Sequence, residues 1–431
     1  MSASARERPT IVALSSGTPP AAIGVIRVSG PQAGSAVESL AGRLGKPRRA
    51  TLCHLRDAAG SPLDEALVLW FPGTCSATGE DLAEFHCHGG RAVLAAVERA
   101  LIDLPGLRLA EPGEFTRRAF ANGRIDLAEA EGLADLLAAE TELQRASALA
   151  SVQGALSSKV EKWRSAVLGL SAQIEAALDF SDEGDVDEAP ESFTWNMRAL
   201  VDELDMWLLR PRSEKLGEGY RVTLAGPPNC GKSTLFNALV ESEAAITSAI
   251  AGTTRDALER SVAIDGVPFT LVDTAGLRER TVDTIERIGM DRARASMERS
   301  DLVLWLGEEG AGPKDAWEIA PQCDADGFIP KGSARFTLSA HTGEGILQFK
   351  QALVAHARLN LPKPGEAALN VRQHRILTEA SASLGRALDQ SDLLLCAEEL
   401  RSARLAFDRL IGKATTEDML DALFGRFCIG K

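Results

Sequence analysis

Residues 222–237 read Val-Thr-Leu-Ala-Gly-Pro-Pro-Asn-Cys-Gly-Lys-Ser-Thr-Leu-Phe-Asn, and this stretch decides the fold. The run ending in Leu224 and Ala225 reads as a buried strand. Gly226 to Ser233 fits G-x-x-x-x-G-K-[ST], and the amphipathic run Leu235, Phe236 and Leu239 then reads as a helix. Strand, loop and helix in that order are the context a phosphate-binding loop requires. Glycines let backbone N–H groups face one cluster of oxygens without a Cβ in the way, and the helix start adds partial positive charge. Lys232 can reach the outer phosphates, and Ser233 can ligate Mg²⁺. Asn229, Cys230, Gly231 and Thr234 complete the expected nucleotide contacts of the loop.

Working outward, Gly252-Thr253-Thr254-Arg255-Asp256 follows, where Thr254 can close on Mg²⁺ and the γ-phosphate as ordered switch loops do. A hairpin is predicted over 258–272 with Asp265-Gly266 as its turn. It ends in Asp273-Thr274-Ala275-Gly276. An Asp at a strand end suits the second sphere of Mg²⁺, and Gly276 can offer its N–H to the γ-phosphate. Residues 301–306 read as a buried strand. Ser339-Ala340-His341 closes a strand expected over 334–338 and can meet the base through its backbone. This order of motifs is that of a GTPase-type domain; a kinase or helicase has no support in it. Leu277 follows Gly276, where Ras-like enzymes often carry a water-orienting Gln. Another group must then place the water, and Glu286, in a helix expected over 283–298, is the best candidate.

The bulk numbers agree with a folded multidomain chain. At 431 residues the length suggests about three domains. Apolar residues make up 45% and charged residues 25%, ordinary values for a soluble protein. The net charge of −14 means that any nucleic-acid site must be a local basic patch. Seven cysteines are scattered without paired spacing, which argues against a disulfide framework or zinc ribbon and fits a reducing, cytoplasmic setting. No apolar leader and no run approaching about 18 apolar residues is found, so no membrane span is expected.

The first 120 residues alternate strand signals with turns: 11–14, 23–28 and 66–71, with a helix through about residue 104. Arg27 sits inside the second run, either facing solvent at a strand edge or serving a site; the run itself does not decide. His86-Cys87-His88 places two histidines on one strand face, a weak metal signal without a third ligand. From about Asn122 the pattern turns helical. Ile125, Leu127, Leu133, Leu136 and Leu137 are read as one stripe, and Val160, Trp163, Val167, Leu170, Ile174 and Leu178 as a long amphipathic helix. The acid-rich run 179–191 reads as a solvated turn. Helical patterns return after Pro362 and Pro364. One helical domain with the nucleotide domain inserted is the simplest arrangement, because amphipathic helices need a partner face; two separate helical domains are the alternative.

At this point the chain resembles the MnmE/TrmE family of tRNA modification GTPases over nearly its whole length. The resemblance rests on Gly24-Val25-Ile26-Arg27-Val28-Ser29-Gly30, Thr78-Gly79-Glu80-Asp81 with His88-Gly89-Gly90, and Pro112-Gly113-Glu114-Phe115-Thr116-Arg117-Arg118-Ala119-Phe120. It rests further on Asp273-Thr274-Ala275-Gly276-Leu277-Arg278, Glu286-Arg287-Ile288-Gly289 and Phe427-Cys428-Ile429-Gly430-Lys431. It implies a multidomain α/β and α protein. Its parts would be an α+β folate-binding and dimerisation domain over 1–121, a helical domain over 122–216 and 361–431, and an inserted Ras-like P-loop GTPase domain over 217–360.

The resemblance also implies a ligand set. The 5-formyl or a related tetrahydrofolate would meet Arg27, Glu84, Arg124 and Lys431, with Arg124 standing where some relatives have Lys. K⁺ would be held near Asn229 and the loop Ser248-Ala249-Ile250-Ala251-Gly252-Thr253, with Ser248, Ile250 and Thr253 as ligands and Glu286 orienting the water. A homodimer and an FAD-dependent MnmG-type partner would together install an aminomethyl-type group at carbon 5 of the wobble uridine of certain tRNAs. A bound cation can supply the positive charge that an arginine finger gives elsewhere. Cys428 is read as a small buried apolar side chain rather than a nucleophile.

One departure stands out. GTPases of this class carry Asn-Lys-x-Asp on a late strand, and no such string lies between Asp301 and Ser339. The nearest alignment is Pro321-Gln322-Cys323-Asp324. Asp324 is expected to keep the guanine contact, whereas Pro321 and Gln322 are not expected to brace the phosphate loop or lie along the base. GTP should then be preferred over ATP but held weakly. The rival function is a ribosome- or RNA-associated GTPase switch without modification chemistry.

Overall fold

The computed structural model describes residues 8–181, 191–241, 244–245, 259–274, 294–414 and 416–430. Its contacts divide the chain into two compact units, residues 1–134 with 411–431 and residues 135–410.

The first unit is built on β1 (Thr10–Leu14), β2 (Ile23–Ser29), β3 (Thr51–Arg56), β4 (Pro62–Phe71), β5 (Leu82–His88) and β6 (Leu107–Leu109). They form one sheet in the order β3-β4-β5-β2-β1-β6, antiparallel except for the β1–β6 pair. Alternation along the strands gives the sheet two buried faces. Val12, Ile26 and Val28 join Val37 of α1 (Ala33–Ala41) and Val97 and Leu101 of α2 (Arg91–Ile102) in one core. Ile11 and Ala13, on the opposite face, pack with Ala110 and with Phe115 of α3 (Glu114–Ala121). Arg27 therefore lies on a central strand between β5 and β1. α4 (Leu127–Ala138) and α13 (Glu417–Phe424) belong here too, with Ala130, Phe424 and Phe427 in a small core and the Phe120 and Phe424 rings 6.1 Å apart. Residues 122–134 and 411–430 fall in this unit.

In the second unit, α5 (Glu142–Val152), α6 (Ala155–Ser181), α7 (Glu191–Leu208) and α8 (Glu214–Glu218) precede the nucleotide domain. Thr141 and Gln144 cap α5 reciprocally, satisfying two N–H groups that a helix start leaves free. The domain runs through β7 (Tyr220–Ala225), α9 (Lys232–Glu241), β8 (Ala244–Ala245), β9 (Glu259–Ile264), β10 (Val267–Asp273), β11 (Leu302–Trp305), β12 (Trp317–Ala320), β13 (Phe336–Thr337) and α10 (Ile346–Asn360). The sheet order is β13-β12-β11-β7-β10-β9-β8, parallel through β10 and antiparallel beyond it. The predicted hairpin is present, and Asp265 at φ 48° and Gly266 at φ 72° make the positive-φ turn an Asp-Gly pair favours. The strand expected over 334–338 is reduced to the Phe336–Thr337 bridge beside β12.

α11 (Val371–Asp389) and α12 (Leu393–Leu410) close the unit. Trp163 of α6, 1% exposed, meets Trp207 of α7 edge-on at 5.5 Å and Phe407 of α12 at 6.0 Å. Arg164 Nε donates to Asp408 Oδ1 at 2.8 Å, and Ser381 Oγ to Asp205 Oδ1 at 2.8 Å. Helices from before and after the nucleotide domain therefore share one core, which is the inserted arrangement and not two separate helical domains.

Two expectations are corrected. Leu137 is 46% exposed one residue before the end of α4, whose buried residues Leu127, Ala128, Ala130 and Gly132 lie in its first half. Cys428 is exposed, not a buried apolar filler, since Phe424 and Phe427 take the buried positions of that segment. Most of the acid-rich run, residues 182–190, lies outside the described residues.

Candidate nucleotide-binding site

β7 lies between β10 and β11, so the order of the sheet reverses at its carboxyl end, where open α/β sheets leave a crevice. Gly226 to Gly231 fills that position, and Lys232 begins α9. The glycines are required locally. Gly226 has φ +150°, and a Cβ there would stand 2.9 Å from Cys230 Sγ and 3.0 Å from the Gly307 backbone nitrogen. Asn229 at φ 60° and Gly231 at φ 90° turn the loop back on itself. Lys232, 4% exposed, donates from Nζ to the Pro227 carbonyl at 2.6 Å, which holds the ammonium against the loop.

Ser233 Oγ donates to Asp273 Oδ2 at 2.6 Å, and Asp273 is 7% exposed at the end of β10. A hydroxyl and a carboxylate side by side are hard oxygen donors of the kind Mg²⁺ takes. Thr274 is pinned behind them, its Oγ1 donating to Leu224 O at 2.8 Å. Thr234 is exposed on the first turn of α9.

The base side lies beyond β12 and β13. Cys323 N donates to Leu338 O at 3.3 Å, which brings the Asp324 segment beside Ser339. Asp324 is exposed, and the hydrogen bond with Ser339, its own backbone and the nearby His341 hold its carboxyl below the usual carboxylate range. Ser339 Oγ in turn accepts from the N–H groups of His341 at 3.2 Å and Thr342 at 3.0 Å. Asp324 and Ser339-Ala340-His341 are thus brought together as the sequence suggests. Gln322 departs from expectation. A Cβ at Gly231 would lie 3.3 Å from Gln322 Nε2, so this side chain does rest against the phosphate loop. Lys331 also reaches this region and was not singled out from the sequence, where a lone Lys between Pro330 and Gly332 carries no spacing signal. Ser248, Ala249, Ile250, Ala251, Gly252, Thr253, Thr254, Ala275, Gly276 and Glu286 lie outside the described residues.

In the N-terminal unit Arg27 does not face solvent alone. Its Nε and Nη2 donate to Glu84 Oε1 at 3.0 and 2.7 Å across the β2–β5 pair, and its guanidinium stands 5.9 Å from the Phe115 ring centre. Burial would raise the Glu84 carboxyl, but Arg27, with help from His86, holds it below the usual carboxylate range. His86 Nε2 lies 3.3 Å from Glu84 Oε2, and His88 Nδ1 lies 2.7 Å from Asp64 Oδ1, so the two histidines have separate carboxylate partners. Cys87 between them is 1% exposed, and burial pushes its thiol up to about 12. Arg124 is exposed beside Gly79, where a Cβ would meet its Cγ at 3.1 Å. Lys431 lies outside the described residues, but Gly430 ends against β1, where a Cβ would stand 2.2 Å from Leu14 O.

Arg118 was quoted only as part of a motif, yet it is 4% exposed and central to this unit. It donates to Glu80 Oε2 at 2.9 Å, Glu114 Oε1 at 2.9 Å and Pro9 O at 2.8 Å. Glu114 also receives Arg108 at 2.6 and 2.8 Å.

A phosphate loop at the reversal of a mostly parallel sheet, a serine hydroxyl on a strand-end Asp, and a helical host around the domain define a GTPase-type P-loop protein with an added α+β unit. Residues 10–124 match the family described as the GTP-binding protein TrmE N-terminus, and residues 127–428 match the MnmE helical domain. A tRNA modification GTPase MnmE of Erythrobacter litoralis is 63% identical over 98% of this chain and 100% of its own length. One of Novosphingobium aromaticivorans is 62% identical over 98% of this chain and 99% of its own. This chain belongs to the MnmE family of tRNA modification GTPases.

Proposed function

We propose that the protein hydrolyses GTP at the Gly226–Ser233 loop as part of a folate-dependent modification of the wobble uridine of certain tRNAs. The observation that carries the reading is the meeting of Ser233 Oγ and Asp273 Oδ2 at 2.6 Å under a glycine-shaped phosphate loop, in a chain of this family. Ser233 and Thr254 would hold Mg²⁺, which when bound neutralises charge on the β- and γ-phosphates. Asn229, Ser248, Ile250 and Thr253 would hold K⁺; the exposed Asn229, on its left-handed turn, can offer an amide oxygen. Lys232 draws charge from the transferred phosphoryl group. The N–H groups of Cys230, Gly231 and Ala275-Gly276 cradle its oxygens, and Glu286 orients the attacking water. Asp324 accepts from guanine, and the backbone of Ser339-Ala340-His341 frames the base.

In the N-terminal unit Arg27, Glu84, Arg124 and Lys431 would hold a tetrahydrofolate as the one-carbon source. The half-buried pair of Arg27 and Glu84, on neighbouring strands, offers a donor and an acceptor to a pterin edge. The functional segments are 1–121, 122–216, 217–360 and 361–431. The protein works in the cytoplasm as a homodimer with an FAD-dependent MnmG-type partner; among the described residues no helix is long and apolar enough to cross a membrane.

Two measurements test this together: GTP turnover by the purified protein, and mass spectrometry of tRNA nucleosides from cells lacking it. Loss of the modified wobble uridine and intrinsic GTP turnover are expected. GTP turnover with unchanged tRNA nucleosides would favour a GTPase switch without modification chemistry.

A further inference from the structure

The chain lacks the Asn and Lys that ordinarily tie the base-recognition strand to the phosphate loop, yet the two are tied. Lys331 Nζ donates to Gly307 O at 2.5 Å and to Ile319 O at 2.8 Å, linking the ends of β11 and β12. Gly307 is itself packed on the phosphate loop: a Cβ on it would stand 2.9 Å from Pro227 Cδ, and one on Gly226 would stand 3.0 Å from its nitrogen. The Lys331 ammonium therefore holds, from the base side, a backbone segment that packs on the start of the loop.

The segment carrying Lys331 is held in its turn. Ser333 N donates to Glu309 Oε1 at 2.7 Å and Ser333 Oγ to Glu318 Oε2 at 2.6 Å, while Gly310 N donates to Glu318 Oε1 at 2.7 Å. Arg335 N adds a bond to Glu318 O at 2.8 Å. Burial pushes the Lys331 ammonium down from its ordinary value, against the opposing pull of Glu318, Cys230 and Glu309, the groups that face it.

We propose that Lys331, with Gln322 against Gly231, is the positioning pair that replaces the missing Asn and Lys and sets how long guanine nucleotide stays bound. An ammonium has three donors and no acceptor, so it can bridge carbonyls at strand ends as an Asn amide bridges strand and loop. Hydrogen bonds from a charged donor are the stronger class. Weak GTP binding is then not a necessary result of the absent motif. The proposal rests on the reading that Asp324 receives guanine.

The test is release of a fluorescent (methylanthraniloyl) GDP from the full chain, with KM and kcat for GTP measured beside it. Lys331→Met is expected to speed release about 10- to 100-fold, the range for losing hydrogen bonds to a charged group. KM should rise by a similar factor while kcat at saturation falls far less. Lys331→Gln, which keeps polar character and volume, guards against a folding defect and should give an intermediate rate. Release unchanged in both variants would overturn the proposal, as would KM, kcat and Tm collapsing together. The underlying reading fails separately, if the unaltered protein holds the ADP analogue as long as the GDP analogue or if Asp324→Asn gains nothing for xanthosine diphosphate.

Discussion

Replacing Arg118 by Met should loosen the N-terminal sheet where β1 begins and β2 ends. Arg118 is 4% exposed and bonds Glu80, Glu114 and the carbonyl of Pro9, which precedes β1. The losses are unequal. Glu114 keeps Arg108 at 2.6 and 2.8 Å and the N–H of Glu111 at 3.0 Å. Glu80 keeps the longer donation from Ser29 Oγ at 3.2 Å. Breaking a buried ion pair by removing one partner costs about 3–5 kcal/mol. The side chain of Glu80 is 17% exposed and can take up a proton, so the lower end, about 3 kcal/mol, is expected. That is roughly a 100-fold rise in local opening. Hydrogen exchange followed by mass spectrometry should show it in peptides covering β1 and β2, with the helical bundle unaffected. Adding Glu80→Gln to Arg118→Met should recover part of the protection, because a neutral amide needs no cation. Unchanged exchange in β1 and β2 in the single variant would refute the ledger of contacts, and no recovery in the double would refute the charge argument.

The Arg27–Glu84 pair is predicted to make the same unit acid-sensitive. Glu84 has its folded pKa below the ordinary carboxylate value, so the pair stabilises fully above that ordinary value and the contribution is lost as pH falls through the folded pKa. Glu84→Gln should flatten acid unfolding of the sheet followed by circular dichroism, and an unchanged acid profile would count against the pair. GTP turnover should rise in K⁺ over Na⁺ and Asn229→Ala should erase the difference; equal rates in the two salts for the intact protein would dismiss the K⁺ role. Glu286→Ala should lower single-turnover hydrolysis by about 100-fold with nucleotide affinity near normal, the range of a positioned acid–base group. An unaltered rate would remove Glu286 from the water. Deleting Lys431 should weaken 5-formyltetrahydrofolate binding in calorimetry and spare GTP binding; equal folate affinity would argue against a folate role for the terminal lysine.

What the sequence showed and what it hid divide along the range of the forces involved. The phosphate loop, the Asp265-Gly266 hairpin and the α6 stripe are local: each follows from φ preferences or from a 3.6-residue period within a few turns of chain. Arg27 could not be assigned from its own strand, because its partner Glu84 comes from β5 and only the pairing register sets them opposite. Leu137 looked like any other apolar residue of its stripe, and its exposure near the end of α4 became legible only in the fold. Arg118 was hidden in a motif whose charges suggest a surface, since burial of an Arg becomes legible only when Glu80, Glu114 and Pro9 converge on it.

The base side of the nucleotide site carries this furthest. A motif such as Asn-Lys-x-Asp is shorthand for an arrangement of donors and an acceptor, and chain spacing encodes that arrangement only when every member comes from one strand end. In the proposed reading the acceptor is Asp324, beside Ser339, and the brace is Lys331 on Gly307 and Ile319 with Gln322 against Gly231. The part of guanine recognition that must meet the base edge is confined to one position, because its geometry leaves no other. The part that merely ties strand to loop can come from any segment able to bring an N–H to those carbonyls. In that reading an absent string bears on the position of the base acceptor and hardly at all on the brace.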